Sequence, residues 1–416
     1  MSLAKNTLWM TGAAVGQKLV SLVYFTILAR VLSVDDLGRY GLALSFTTIF
    51  VVLVDFGLTS VLIREGAKFP ARLGELTNAV LRLKFYLGVA TYLLTIFLAH
   101  AFGYEFEVQI LIAISGITML FDSWQLTLYG ALRAKGSLRY ESFGLFFSQL
   151  TTLVLGTISV LAHLPIIFLM LVYLGPSILN TAFARWRLYL AGVKLVGGSD
   201  CALIKTLGRA AIPFALAAIF SRLYGNTDTL IIKHFLGNAA VGAYQIPFKI
   251  VVAFQFIPLA LIAGLYPALS QTIHTNLSEA KRLLFQSFRY LFLVSVPAAV
   301  GIFLFANQIV PAVFGALYVQ SVPALKAAII GLPFGFLTFP LGAWLNGSGQ
   351  QSTQTFIVAI IMIANVAVDW LAAPRYGIVG VAYSGSVSQI ILFVISFIIV
   401  ARQAKFDYRL FLWPKS

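Results

Sequence analysis

Residues 222–244, RLYGNTDTLIIKHFLGNAAVGAY, align with residues 18–40, KLVSLVYFTILARVLSVDDLGRY, when the sequence is shifted by 204 positions. The alignment pairs identical residues at five positions: Leu19 with Leu223, Ile27 with Ile231, Leu32 with Leu236, Gly38 with Gly242, and Tyr40 with Tyr244. At a shift of 213, residues 129–140 (YGALRAKGSLRY) match residues 342–353 (GAWLNGSGQQST), with Leu132 on Leu345 and Gly136 on Gly349. These matches predict two related halves.

The composition indicates a helical integral membrane protein. Sixty per cent of the 416 residues are hydrophobic and ten per cent are charged, whereas soluble proteins carry about 25% charged residues. The apolar runs reach the roughly 20 residues that cross a bilayer as a helix, and the alternating segments of a β-barrel do not recur. The net charge of +15 therefore does not indicate a nucleic-acid partner. With one cysteine and four scattered histidines, we expect no disulfide, metal site or cofactor.

Turn residues divide the chain into twelve predicted spans. Their approximate bounds are 7–32, 37–62, 76–101, 108–132, 140–162, 165–187, 208–233, 239–267, 284–305, 321–345, 353–373 and 377–401. The longest internal loop predicts an N-terminal lobe (1–190), a cytoplasmic linker (191–207) and a C-terminal lobe (208–416). Both repeat matches lie six spans apart, so the halves have the same orientation. Parallel repeats of this kind place a substrate site between the halves.

The distribution of Lys and Arg predicts the orientation. With twelve spans both termini lie on one side, and nineteen cations flank that side: Lys5, Arg64, Lys68, Arg72, Arg133, Lys135, Arg139, Arg185, Arg187, Lys194, Lys205, Arg209, Lys281, Arg282, Arg289, Arg402, Lys405, Arg409 and Lys415. The opposite ends carry only four: Arg30, Arg39, Lys233 and Arg375. By the positive-inside rule both termini are cytoplasmic.

Two charged residues deep in the predicted spans suggest a ligand site. The 204-residue shift maps Lys18 onto Arg222, so each half would present one cation near mid-membrane. In a continuous helix Arg222 cannot pair with Asp228, six positions away, and Asn226 lies on the same face as Arg222. We expect a wet, cationic cavity that suits a phosphate-bearing ligand. The alternative is that a carboxylate neutralises each cation and the pair only supports packing.

Other charged and polar residues extend this candidate site. Tyr224 and Lys249 join the substrate-binding set, while Lys326 lies near the outer end of the tenth span. The candidates for ion coupling or gating are Asp55, Asp122, Asp228, Lys326 and Asp369. Arg82 and Lys84 lie in the inner third of the third span, where snorkelling to the cytoplasmic surface is expected.

The sequence resembles the Wzx-type O-antigen and polysaccharide-biosynthesis flippases of the multidrug/oligosaccharidyl-lipid/polysaccharide (MOP) superfamily. The resemblance is carried by LARVLSVDDLGRYGLALSFTTIF (28–50), DFGLTSVLIREGAK (55–68), NTDTLIIKHFLGNAAVGAYQIPFKI (226–250), LNGSGQQSTQTFIVAIIMIANV (345–366) and YGIVGVAYSGSVSQI (376–390). It implies an all-α fold of twelve helices in two six-helix lobes, like that of the MATE transporters, around a cationic cavity.

The resemblance also implies a function in the bacterial inner membrane. An undecaprenyl-diphosphate-linked oligosaccharide would move from the cytoplasmic to the periplasmic leaflet by alternating access. The family's cavity-lining charges match four residues here by position: Lys18, Arg222, Asp228 and Lys249. The resemblance also implies coupling to H⁺ or Na⁺ and contact with the polysaccharide polymerase machinery. A cation-coupled multidrug antiporter is the first alternative, although its cavity would favour carboxylates. A membrane enzyme of polysaccharide assembly is a further alternative, but the short outer loops offer no acid/base set.

Overall fold

The described chain is helical throughout. The structure, a computed structural model, describes residues 3–195 and 201–404. Its α-helices are α1 (Leu3–Val31), α2 (Val34–Asp55), α3 (Leu58–Lys68), α4 (Leu73–Ala101), α5 (Phe106–Ala134), α6 (Arg139–Leu161), α7 (Ile167–Leu190), α8 (Cys201–Tyr224), α9 (Thr227–Phe254), α10 (Phe256–Thr275), α11 (Leu277–Phe314), α12 (Val322–Ile330), α13 (Leu332–Gly347) and α14 (Gln351–Gln403). Short 3₁₀ turns occupy Pro70–Arg72 and Ala316–Ser321.

The apolar residues are distributed as a bilayer requires. Within the described residues, nine helical stretches are long and apolar enough to cross a membrane. Large apolar side chains lie on the outside, among them Phe106 (77% exposed) and Leu179 (65% exposed). Polar side chains such as Thr77 and Ser295 are instead fully buried. An exposed apolar surface of this extent indicates contact with lipid rather than water, so the chain is a multi-pass integral membrane protein.

Two of the nine stretches are too long for a single crossing. Residues 218–275 (58 residues) and 351–403 (53 residues) would extend about 80–90 Å as straight helices, against roughly 30 Å of bilayer core. The Tyr244 hydroxyl nevertheless donates to Asp228 Oδ2 at 2.9 Å, sixteen positions away. The chain must therefore fold back between Asp228 and Tyr244. It does so at Gly237, whose backbone is non-helical (φ 83°, ψ −176°).

Helix α14 folds back in the same way. The Asn365 side chain donates to Ser384 Oγ at 2.8 Å, although nineteen residues separate them. Between these partners Gly377 has φ 61° and ψ −153°, a region that is essentially restricted to glycine. The two non-helical glycines thus convert two long helical stretches into antiparallel pairs.

Packing divides the chain into two compact units, residues 1–245 and 246–416. In the first unit, the core contains Leu58 and Leu62 of α3 together with Leu132 of α5. In the second, Leu291 of α11 packs with Phe336 of α13. The predicted lobes 1–190 and 208–416 stay a prediction.

The second repeat match is visible as two equivalent helix ends. After α5, Ser137 N donates to Leu132 O at 3.0 Å, and Gly136 has φ 76°. After α13, Gln350 N donates to Leu345 O at 2.8 Å, and Gly349 has φ 79°. This is the Schellman type of helix end, in which a left-handed residue satisfies the last carbonyl groups. The residues paired at a shift of 213 therefore have the same backbone role.

Candidate functional site

Lys18 and Arg222 lie on the same unit with exposed side chains. Lys18 projects from α1 within electrostatic range of Arg222, which lies in the last turn of α8. Neither residue has a carboxylate within 4 Å among the residues that the structure describes. Two neighbouring cations repel each other, and an anion placed between them would relieve that repulsion. The alternative in which local carboxylates neutralise both cations gains no support from this geometry.

The helix carrying Arg222 is interrupted, so the predicted continuous seventh span is wrong at this point. Helix α8 ends at Tyr224 and α9 begins only at Thr227. The reason is local capping: Asn226 Nδ2 donates to Arg222 O at 3.0 Å, and Thr227 Oγ1 donates to Leu223 O at 2.7 Å. These polar side chains satisfy carbonyl groups that a helix end leaves without partners. The Arg222 guanidinium at this end also complements the negative pole of the α8 dipole.

The interruption changes the roles expected for the neighbouring residues. Asn226, a predicted ligand-binding residue, uses its amide group to cap α8. Tyr224 is half-buried beside it. Asp228 is half-buried at the start of α9 and accepts the hydrogen bond from the buried Tyr244. Under the 204-residue shift, Asp228 and Tyr244 correspond to Tyr24 and Tyr40, which are also neighbours in the first half.

The glycines of the 204-residue repeat pack against each other. A Cβ atom at Gly38 of α2 would lie 1.9 Å from Asn238 O, and one at Gly242 of α9 would lie 1.9 Å from Val34 O. The shift maps Val34 onto Asn238 and Gly38 onto Gly242, so the contact is reciprocal, as at a two-fold axis. Only glycine lets two helix backbones approach this closely. The repeat residues therefore form the α2–α9 contact itself.

An ionic cluster surrounds that contact; we call it the α2–α9 ionic cluster. Arg39 of α2 pairs with Glu107 at 2.5 Å and with Glu105 at 3.2 Å. From α9, Lys233 approaches Glu105 at 3.5 Å, and Asn238 Nδ2 donates to the same carboxylate at 3.0 Å. Glu105 thus joins α2, the start of α5 and α9. The distribution of Lys and Arg predicts that Arg39 and Lys233 lie on the outer side, so the cluster lies at the predicted outer end.

A second charged site lies within the first unit. The side chain of Lys84 in α4 is fully buried, and its Nζ atom donates to Asp55 Oδ1 (2.5 Å), Thr59 Oγ1 (2.8 Å) and Ser123 O (3.1 Å). All three ammonium protons have acceptors. The snorkelling predicted for Lys84 is therefore wrong, because its helix face points into the bundle rather than toward the membrane surface.

Asp55 reaches Lys84 because the second span is broken. Helix α2 ends at Asp55, and the next two residues, Phe56 (φ 44°) and Gly57 (φ 73°), have left-handed backbone before α3 begins. Discontinuous membrane helices commonly provide ion and substrate sites, since the break exposes carbonyl groups and a helix pole. The DFG tripeptide at residues 55–57 was the available sequence signal for this site.

The other predicted site residues are dispersed. In the first unit, Asp122 is exposed on α5 and accepts a hydrogen bond from the buried Ser177 hydroxyl. In the second unit, Lys249 is half-buried on α9, and Asp369 is fully buried on α14. The Lys326 ammonium lies 5.7 Å from the centre of the Phe303 ring, in range of a cation–π interaction. In the described parts of the chain, no group of three or more His, Cys, Asp or Glu side chains could hold a metal ion.

Comparison with known proteins identifies the family. Residues 3–273 match the polysaccharide biosynthesis protein family, and residues 213–371 match the MatE family. A Shigella flexneri protein named as an O-antigen transporter is 23% identical over 94% of this chain and 96% of its own length.

Solved structures share the fold. The lipid II flippase MurJ in an inward closed conformation superposes with a TM-score of 0.79, at 17% identity, over 94% of this chain and 87% of its own. An inward-facing MATE multidrug transporter of the MOP superfamily superposes with a TM-score of 0.77, at 15% identity, over 94% of both chains. The chain therefore belongs to the polysaccharide biosynthesis protein family and shares the fold of these two solved structures.

Proposed function

We propose that this protein moves an undecaprenyl-diphosphate-linked oligosaccharide, the repeat unit of O-antigen or a related surface polysaccharide, from the cytoplasmic to the periplasmic leaflet. The observation that carries the proposal is the exposed pair Lys18 and Arg222, with no carboxylate within 4 Å in the described residues. The diphosphate would lie between these cations through charge-assisted hydrogen bonds. Family membership supplies the link to polysaccharide assembly.

The topology that we propose has twelve spans in the bacterial inner membrane, with both termini cytoplasmic. Dividing the helical stretches at Gly237 and Gly377 and counting α1 as a span gives twelve. Residues 1–190 and 208–416 would then form the lobes, joined by the cytoplasmic linker 191–207. The concentration of Lys and Arg on one side supports this orientation.

Alternating access would use the α2–α9 contact as its outer gate. The close contact of Gly38 with Gly242 holds the α2 and α9 backbones together, and the α2–α9 ionic cluster adds electrostatic attraction between the helices at the same end. Opening this end would separate two repeat-related surfaces while leaving each helix intact. In a state with this contact closed, Lys18 and Arg222 would meet substrate from the cytoplasmic side.

The acidic residues are candidates for coupling to H⁺ or Na⁺. Asp228 lies closest in sequence to the cation pair, and its bond to Tyr244 links it to the part of α9 that forms the outer contact. Asp55 at the break in the second span is the next candidate, with Asp122, Lys326 and Asp369 as further ones. Delivery of the product to a polysaccharide polymerase on the outer face follows from the same proposal.

The proposal is tested by neutralising the cation pair. We expect Lys18→Gln and Arg222→Gln to leave lipid-linked repeat units on the inner leaflet, with normal protein levels and reduced surface polysaccharide. Lys18→Arg retains the charge and should retain part of the transport. Arg289→Gln, at an exposed arginine of α11, is the matched control. Wild-type surface polysaccharide in both neutral variants would refute the assignment.

A cation-coupled multidrug antiporter is the second candidate, because residues 213–371 match the MatE family. Cationic drugs require carboxylates at the binding site, whereas Lys18 and Arg222 are both basic. A deletion strain that loses drug resistance and keeps its surface polysaccharide would favour the antiporter.

A further inference from the structure

A pocket of about 590 Å³ lies on the first unit, among α4, α5 and α7. Its lining combines two arginines with aromatic and aliphatic side chains: Leu81, Arg82, Phe85, Tyr86, Trp124, Leu128, Thr181 and Arg185. None of these residues belongs to the Lys18–Arg222 pair, to the α2–α9 ionic cluster or to the Asp55–Lys84 pair. The pocket is therefore a separate feature that the proposed transport site does not explain.

Among the described residues, no carboxylate pairs with the two arginines of this pocket. Arg82 and Arg185 are both exposed, and neither has a carboxylate within 4 Å in residues 3–195 and 201–404. Other arginines at the same end of the unit are engaged: Arg133 pairs with Glu141, and Arg187 stacks over the Tyr140 ring at 3.7 Å. The guanidinium group matches phosphate oxygens in bidentate geometry. The two arginines thus provide an anion site rather than a structural ion pair.

The depth of the two arginines corresponds to the edge of a leaflet. Arg82 lies nine residues after the start of α4, and Arg185 lies five residues before the end of α7. By helical rise, these positions are about 13 Å and 8 Å from the same end of the unit. Long basic side chains extend from such depths toward the headgroup region. A phosphate at the membrane interface is therefore within their reach.

The remaining walls suit hydrocarbon chains. The rings of Phe85 and Trp124 stack with centroids 6.2 Å apart and an interplanar angle of 21°. Phe85 and Tyr86 are 49% and 69% exposed, respectively, and Leu81 and Leu128 complete the apolar surface. Aromatic side chains are enriched where the bilayer meets water. The pocket therefore offers a charged rim for a headgroup beside an apolar wall for an acyl chain.

We propose that this pocket binds an anionic phospholipid of the adjacent leaflet, with its phosphate on Arg82 and Arg185 and an acyl chain over Phe85 and Trp124. Charge complementarity and the apolar wall together select this occupant. Free phosphate would leave the apolar wall without a partner, and a zwitterionic lipid would bring a third cation to a site that already has two. The pocket would hold the lipid on the α4–α5–α7 face of the transporter, independently of the substrate.

The test is native mass spectrometry of the purified full-length protein with added phosphatidylglycerol. Because the double variant Arg82→Gln/Arg185→Gln removes both charge-assisted phosphate contacts, it should reduce phosphatidylglycerol binding at least tenfold. Arg289→Gln should not reduce it. Undiminished binding in the double variant would overturn the proposal. So would an arginine-dependent signal with undecaprenyl diphosphate or inorganic phosphate and none with phosphatidylglycerol.

A second measurement does not depend on the arginine variants. Phosphatidylglycerol with brominated acyl chains should quench Trp124 fluorescence in the otherwise unchanged protein, and the quenched component should disappear in Trp124→Phe. Brominated phosphatidylcholine at the same concentration should quench this component less. Equal quenching by both lipids, or identical quenching in Trp124→Phe, would show that only bulk lipid contacts this face and would refute the site.

Discussion

Replacing Gly38 with alanine is expected to open the α2–α9 contact. The added Cβ would lie 1.9 Å from Asn238 O, whereas a carbon–oxygen contact needs about 3.3 Å. Because the obstructing atom belongs to the backbone, no side-chain rotation can relieve the clash, and the helices must separate by about 1.4 Å. Gly242→Ala should act in the same way, since its Cβ would meet Val34 O at 1.9 Å.

The expected magnitude follows from the cost of overpacking. Forcing an extra methyl group into a close contact typically costs about 1–3 kcal/mol. If an open state separates α2 from α9, this cost falls only on the closed state. The equilibrium should then shift toward the open state by about 5- to 150-fold.

Accessibility of an introduced cysteine measures this shift. Since the chain has one cysteine, Cys201→Ser removes the background, and Ser221→Cys places a thiol at an exposed position next to Arg222. A membrane-impermeant maleimide applied from the side that we propose to be periplasmic should label this thiol faster when Gly38→Ala is added. Gly385→Ala is the control, because a Cβ there has no neighbour within 4 Å. Unchanged labelling in both Gly38→Ala and Gly242→Ala, at normal protein levels, would refute the assignment of this contact as the outer gate.

Two further predictions concern stability, measured as thermal unfolding in detergent. Lys84→Met should destabilise the protein by about 3–5 kcal/mol, because it leaves the Asp55 carboxylate without its buried partner. The double variant Asp55→Asn/Lys84→Met should recover most of that loss. Wild-type stability in Lys84→Met would contradict the pairing. Gly377→Ala should cost about 1–3 kcal/mol, since its backbone (φ 61°, ψ −153°) is strained for any residue with a Cβ. Gly301→Ala is the control within α11, because a Cβ there has no neighbour within 4 Å, and it should keep wild-type stability. An equal loss of stability in Gly377→Ala and Gly301→Ala would argue against backbone strain.

The correspondence between repeat segments was predictable from the sequence, because it is carried by backbone-determining residues. Gly38 and Gly242 are identical at one shift, and Gly136 and Gly349 at another. Glycine at such positions reflects a close approach or a left-handed backbone, which the local sequence encodes directly. What the repeat could not predict is that Gly38 and Gly242 lie against each other, since a shift relates positions without specifying contacts.

By itself the sequence determined the membrane-helical class, the turns and the family, because hydropathy, turn glycines and short sequence motifs are local properties of the chain. Tertiary structure alone decided which charges meet. Lys84 was assigned to the membrane surface from its depth, yet it bonds Asp55, twenty-nine positions away, across a break in the second span. Depth follows from counting residues along one helix. Pairing depends on how each helix is rotated against its neighbours, and the packing of the whole bundle sets that rotation.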